Sequence, residues 1–331
     1  MLRHTVRLKR FAPLLFMVLG ATAIACPWAS PDARPVTVAR AYVPRLDGSF
    51  WQTTNNPDLG PLTGAQQTPV DFAIWKAKDG TWQIEECIRA TNEPGKTRLF
   101  FRWQAANITD TSWAPMGISM RADPAVGETP GGLQAPHVVE PSVAGDGRFH
   151  MFYGDWEHIS HATSVDGKSF ARELTAAGTS GVFGEGTGAN TRDPMVLSTK
   201  GQFIAYYAAN PGDQCAVYAR TSADLRAWSA PSRVAFGGIA GKGPYSAECP
   251  FVIEKEGYFY LFRTQSYGPP ITRVYRSRDP LDFGIDDDRF LIAELPIAAP
   301  ELVLEDGQWY VASVLFSAGG TGIARLAWDP L

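Results

Sequence analysis

The chain alternates apolar and polar positions in short runs, with little sign of the three-and-four stepping of helices. Phe149-His150-Met151-Phe152-Tyr153 and Tyr258-Phe259-Tyr260-Leu261-Phe262 are aromatic runs of this kind, each preceded by a turn that carries Gly. Such runs read as strands, and the Gly supplies the positive φ that a tight hairpin needs. The unit recurs five times. Val70-Asp71-Phe72-Ala73-Ile74-Trp75 leads to Asp79-Gly80 and Trp82, and Glu140-Pro141-Ser142-Val143 leads to Asp146-Gly147 and Phe149. Asp193-Pro194-Met195-Val196 leads to Gly201 and Phe203, Glu248-Cys249-Pro250-Phe251-Val252 to Gly257 and Tyr258, and Pro300-Glu301-Leu302-Val303 to Asp306-Gly307 and Trp309. Marked at Asp71, Glu140, Asp193, Glu248 and Glu301, the copies stand 69, 53, 55 and 53 residues apart, too long for two strands each.

A second recurring element supplies the remaining strands. Ala162 to Phe170, Arg220 to Trp228 and Arg276 to Phe283 each combine a strand, a turn centred on Asp166, Asp224 or Asp279, and an aromatic that packs back between sheets. Five units of about four strands predict an all-β fold, a five-bladed β-propeller over residues 68–331. The fifth unit has room for only one strand, Ile323 to Trp328, after Gly319-Gly320. Val36 to Val43 alternates suitably, so an amino-terminal strand is expected to complete the last blade and close the ring. Leu46 to Gln67, rich in Asn, Pro, Gly and Thr, reads as a loop, and residues 26–67 as an arm ahead of the propeller.

Composition agrees and narrows the function. Ten Trp, eleven Tyr, 32 Gly and 25 Pro suit short strands joined by tight turns, and 45% hydrophobic residues exclude a disordered chain. Thirty basic against 34 acidic side chains, net −4, exclude an electrostatic nucleic-acid binder. Met1 to Ala25 carries Arg3, Arg7, Lys9 and Arg10, then the apolar run Phe11 to Ile24, and reads as a secretory signal. Cys26 follows at once, which permits either cleavage after Ala25 or lipid attachment to Cys26, a membrane link by that route only. Both place the mature protein outside the cytoplasm. Cys87, Cys215 and Cys249 are too few and too scattered for a disulfide framework or a zinc site.

Most acidic residues have a structural explanation. Asp79, Asp146 and Asp306 precede Gly in hairpins, and Asp166, Asp224 and Asp279 sit in the second turn. Asp71, Asp193 and Glu248 instead begin the first strands of their units, which converge at one end of a propeller channel. Like charges crowded into one funnel raise one another's pKa and destabilise the fold, a cost that a site explains. Paired carboxyls suit displacement at a sugar carbon, one as nucleophile or base and one as proton donor. Glu140 holds the matching place in the second copy, as a fourth member, a salt-bridged residue or a substrate-binding one.

Arg192-Asp193-Pro194 and Glu248-Cys249-Pro250 resemble the Arg-Asp-Pro and Glu-Cys-Pro signatures of glycoside hydrolase family 32, the invertases and fructanases. That family shares its five-bladed propeller with the family 43 arabinanases and xylosidases. The resemblance implies Asp193 as transition-state stabiliser, Glu248 as general acid/base and Asp71 as nucleophile or base. The first-blade Asn-Asp-Pro-Asn-Gly signature of family 32 is replaced here by Pro69-Val70-Asp71-Phe72-Ala73, and no β-sandwich follows the propeller, as in single-domain members of family 43.

Further substrate-binding candidates flank the funnel: Trp156 and Tyr245 as aromatic platforms, Arg192 to orient Asp193 or a hydroxyl, and Arg263 after a blade-four strand. His137 is a candidate channel ligand or proton donor. Five His without paired spacing give no transition-metal site, so no cofactor is expected beyond a structural Ca²⁺ or Na⁺ in the channel. The expected function is a secreted glycoside hydrolase acting on terminal bonds of an oligo- or polysaccharide. A propeller phosphorylase, with phosphate held by Arg192, Arg263 and Arg273, and a non-catalytic carbohydrate-binding propeller are the alternatives.

Overall fold

The computed structural model describes residues 40–331, which are sheet almost throughout. The expected secretory signal, Cys26 and the stretch from Val36 to residue 39 lie outside the described residues. The first strand, β1 (Tyr42–Gln52), belongs to the last blade. Blade one is β2 (Thr68–Lys76), β3 (Trp82–Arg89), β4 (Leu99–Ala105) and β5 (Ala114–Met120). Blade two is β6 (Gln134–Val139), β7 (Phe149–Gly154) and β8 (Ile159–Ser164), with the short β9 (Ala171–Arg172) and β10 (Gly181–Phe183) both paired to β8. Blade three is β11 (Arg192–Thr199), β12 (Gln202–Ala209), β13 (Ala216–Ser222) and β14 (Ser232–Ala235). Blade four is β15 (Glu248–Lys255), β16 (Tyr258–Tyr267), β17 (Pro270–Ser277) and β18 (Leu291–Leu295). Blade five takes β19 (Glu301–Glu305), β20 (Gln308–Leu315) and β21 (Gly320–Pro330) and is completed by β1. The protein is a five-bladed β-propeller, and an amino-terminal strand closes its ring.

Of the strand expected over Val36 to Val43, residues 36–39 lie outside the described residues, and Tyr42 and Val43 open the strand that closes the ring. β1 runs from Tyr42↔Pro330 to Gln52↔Gly322 along β21, so Leu46 to Gln52 are strand and the loop begins only after them. This half-exposed outer strand keeps polar side chains on its open face, which hid it among the turn-forming residues that follow.

Blade packing follows from the second recurring turn. Oδ1 of Asp166 accepts from the backbone N–H groups of Lys168 and Ser169, and Oδ1 of Asp224 from those of Arg226 and Ala227. Each turn then swings its aromatic onto the preceding blade. Phe170 meets Trp75 edge-on at 5.9 Å, Trp228 meets Phe152 at 5.7 Å, and Phe283 meets Tyr206 at 6.3 Å. Such pairs add about 0.5–1.5 kcal/mol each beyond the area they bury.

At the innermost strands the repeat takes a form that the sequence alignment missed. Ala135, Asp193, Cys249 and Ala299 all adopt left-handed φ, between 34° and 56°, and each is followed by proline. The ladder of β6, β11 and β15 slips there, between Gln134 and His137, Arg192 and Met195, and Glu248 and Phe251. A bulge leaves its extra residue unpaired, so a proline without N–H is tolerated inside a sheet. The left-handed residues cost about 1–2 kcal/mol each, and the bulges turn the residues beside them toward the axis. The blade-two counterpart of Asp193-Pro194 is therefore Ala135-Pro136, and Glu140 lies at the far end of its strand.

Candidate active site

The bulges converge on one cavity of about 390 Å³, lined by Asp71, Asp193 and Glu248 together with Arg98, Arg192, Trp156 and others. A second, smaller void of about 20 Å³ shares Asp71 and Asp193 with it and is lined by residues of the bulges, among them Pro136, Pro194 and Pro250. That is room for one water.

Asp71 is 5% exposed and accepts from two donors on one oxygen. The Tyr267 hydroxyl donates to its Oδ1 at 2.5 Å and the Cys249 thiol at 3.3 Å. Among the described residues no protein donor reaches Oδ2. Asp193, on its strained bulge, accepts the Cys249 backbone N–H on Oδ2 at 3.0 Å, while its Oδ1 is buried without a partner. Burial, then the charge of Asp71, push the Asp193 carboxyl up to about 7 against the pull of Arg192.

Glu248 accepts both Nε and Nη2 of Arg192 on Oε1, at 2.8 and 2.6 Å. Burial and the neighbouring Asp71 still raise its pKa, while Arg192 acts to lower it. Arg192 itself is anchored by the Asn190 carbonyl, Asn210 Oδ1 and the Pro244 carbonyl. It lies 3.7 Å from Asp193, so the partner it grips is Glu248 and not the adjacent aspartate.

The remaining candidates divide. Trp156 and Tyr245 line the cavity, Tyr245 at its mouth and 65% exposed, which rules out core packing. Trp156 is presented by a turn in which Asp155 Oδ1 accepts the backbone N–H groups of Glu157 and His158, and its own N–H donates to Gln134 Oε1. Its ring bears Lys96 Nζ at 4.3 Å and the Arg98 guanidinium at 5.3 Å, so cations already occupy part of the platform.

Glu140, His137 and Arg263 do not line the cavity. The Glu140 carboxylate accepts the backbone N–H of Lys76, the last residue of β2, because the aligned Glu-Pro pair closes its strand instead of opening it. His137 is buried against Phe251, its Nδ1 3.9 Å from Glu301 Oε2, deeper along the axis. Arg263 is 1% exposed and donates to the carbonyls of Ser246, Gly237 and Gly241, which makes it a brace for the segment leading into Glu248. Arg273 is paired with Glu294 and Gln265 and is likewise not in the wall.

Sequence reading passed over Tyr267, Arg89, Arg98 and Phe316, all of which line the cavity. Arg89 ends β3 and Arg98 precedes β4, so a paired-cation hairpin at the channel end of blade one was the available signal. Among the described residues no group of three or more His, Cys, Asp or Glu is placed to hold a metal ion.

Compared as a sequence, the chain matches no protein-family model and no curated protein. Compared as a structure, it is similar to a thermostable family-43 glycoside hydrolase, with TM-score 0.55 and 16% identity over 84% of this chain and 93% of the other. It is also similar to a structure from family 130, mannoside phosphorylases that include glycoside hydrolases targeting β-1,2-mannosidic linkages in Candida mannan, with TM-score 0.59 and 14% identity over 88% and 95%. A family-32 β-fructofuranosidase of Bombyx mori matches with TM-score 0.54 and 16% identity over 86% of this chain and 62% of its own. The five-bladed propeller described above is the fold that this chain shares with these carbohydrate-active enzymes.

Proposed function

We propose that the protein is a glycoside hydrolase that removes terminal sugars from an oligo- or polysaccharide, with Asp71, Asp193 and Glu248 as its working carboxyls. The observation that carries this reading is the meeting of three carboxyls from three blades in one cavity, two of them with raised pKa. A cavity of about 390 Å³ falls in the range of about 300–1,000 Å³ usual for small-molecule sites and is large enough for the end of a saccharide chain.

In this reading Glu248 carries its proton on Oε2, the oxygen that Arg192 leaves free, and delivers it to the glycosidic oxygen as the C–O bond breaks. Asp71, fixed through Oδ1, offers Oδ2 to the anomeric carbon or to a water beside it. Asp193 offers its unpartnered Oδ1 to a sugar hydroxyl or to charge growing on the ring. Water supplies the second product's hydroxyl, and the proton it releases restores the acid. No cofactor is needed. The signal-like Met1–Ala25 supports action outside the cytoplasm, by cleavage or through a lipid at Cys26.

The test is sugar release from a panel of fructans, arabinans, arabinoxylans, galactans, mannans and pectic or algal oligosaccharides, run beside Glu248→Gln. Release by the wild type with a loss of about a hundredfold or more in the variant supports the assignment. Binding to a panel member without release by either protein points to a carbohydrate-binding propeller instead.

A further inference from the structure

The hairpin that joins β3 to β4 delivers three cations to one side of the cavity: Arg89 at its start, Lys96 near its tip and Arg98 at its end. Arg89 and Arg98 line the cavity, and Lys96 lies over the Trp156 ring that also lines it. The single carboxylate of that hairpin, Glu93, is turned away and takes Arg121 at 2.8 Å. Among the described residues none of the three cations has an ion-pair partner. Arg89 rests on the Phe316 ring at 5.0 Å, and the one side-chain hydrogen bond of Arg98 is a 3.9 Å contact with the Cys87 thiol.

The hairpin is rigidly held. Thr91 N–H and its hydroxyl both donate to the Thr97 carbonyl, Lys96 N–H donates to the Pro130 carbonyl and Arg98 N–H to the Gly131 carbonyl. Gly95 has φ +89°, and a Cβ there would stand 2.1 Å from the Pro130 carbonyl oxygen, so only glycine permits this approach. The cations are thus pre-organised before any ligand arrives.

Charge counting then bears on the ligand. Arg192 is committed to Glu248, and an acid catalyst must hold a proton, which leaves two carboxylates facing Arg89, Lys96 and Arg98 in addition to Arg192. A neutral sugar would leave guanidinium donors dehydrated and unanswered, whereas a carboxylate accepts them in pairs.

We propose that Arg89 and Arg98 form a subsite for an anionic saccharide, recognising the carboxylate of a uronic-acid residue at the chain end. This rests on the reading of the cavity as a glycosidase site and specifies its substrate. The two guanidinium groups take the carboxylate edge, and Phe316 and Trp156 hold the two cations in place from behind.

Calorimetric binding of glucuronate, galacturonate and mannuronate, each against its neutral hexose, tests it with inorganic phosphate as a separate arm. The expected result is at least one uronate binding about tenfold or more tightly than its neutral partner, with that ratio lost in Arg89→Gln and in Arg98→Gln and reduced by salt. Circular dichroism of both variants shows that they are folded. Equal binding within every matched pair overturns the proposal, as does a uronate preference that survives both substitutions. Phosphate binding without any uronate preference also overturns it, in favour of a free anion as co-substrate. Release of neutral sugars from the panel without uronate preference would remove this inference and leave the hydrolase reading standing. Uronate selectivity without sugar release from any panel member would do the reverse.

Discussion

Arg192 donates twice to a single oxygen of Glu248, at 2.8 and 2.6 Å, and leaves the other oxygen without a protein donor. A forked guanidinium does this where a lysine ammonium cannot, so it fixes the carboxyl in rotation as well as in position. Removing it strands a carboxyl in a largely buried wall. Arg192→Ala is expected to cost about 3–5 kcal/mol of stability by urea denaturation. It should also move the alkaline limb of the kcat/KM profile to higher pH, because the group that lowers the Glu248 pKa is gone. Arg192→Lys should restore part of the stability and little of the turnover.

Asp193 offers a different signature. With its carboxyl pushed up to about 7 by burial and by Asp71, it titrates near neutrality. Asp193→Asn should lower kcat by about a hundredfold and remove an inflection near pH 7 from the pH–rate profile, and it should make the melting temperature less sensitive to pH around 7, because the raised carboxyl is gone. An unchanged profile would show that another group titrates there.

Tyr267→Phe tests how Asp71 is held. The substitution leaves Oδ1 with the Cys249 thiol as its remaining side-chain donor, a weaker one. Turnover on a validated substrate should fall by about tenfold or more while KM changes little, since the lost bond orients a reacting group.

Glu86 seals the junction between blades one and five. Its Oε1 accepts the hydroxyls of Thr54 and of Thr321, the latter at 2.8 Å, and its Oε2 accepts Trp103 Nε1 at 2.8 Å. Burial nevertheless raises its pKa to about 7, against these hydrogen bonds. A carboxyl raised in the folded state stabilises fully below its unfolded value near 4.5 and loses that contribution as pH climbs through 7. The melting temperature should therefore fall between pH 5 and 8. Glu86→Gln should flatten that slope, leaving the part due to Glu85 and Asp193, which are also raised to about 7.

The ring closure predicts a further outcome. Deleting residues up to Gln52 strips β1 from β21 and exposes a long strand edge. Light scattering on the truncated chain should show aggregation at temperatures where the intact protein stays clear.

Much of this architecture was legible because its signals are local. Asp166 and Asp224 bond the backbone two and three residues on, and Phe170 and Trp228 follow at fixed offsets, so one chain segment contains the whole motif. Asp193 and Glu248 stood out for the same reason, Asp193 directly before Pro194 and Glu248 two residues before Pro250, prolines that only a bulge or a strand end tolerates. Glu140 misled because its Glu-Pro pair copies that local appearance at the wrong end of β6. The counterpart at Ala135-Pro136 carries no charge to draw attention, and its left-handed φ is invisible in composition. Arg263 and Arg98 show the other limit. Arg98 precedes β4, while Arg263, expected after its strand, sits in the middle of β16, and whether a guanidinium faces carbonyls or a cavity depends on chain segments that meet only in three dimensions.

Blade five joins β1, the first described strand, to β19, β20 and β21, the last three, with β21 set between β20 and β1. During synthesis β1 emerges early and must wait, unpaired, until nearly the whole chain has left the ribosome. Four blades can assemble in order as they appear, but the ring and its latch at Glu86 and Thr321 cannot form until the final strand is free. Ring closure is thus the step of folding that depends on the two strands lying farthest apart in the described chain.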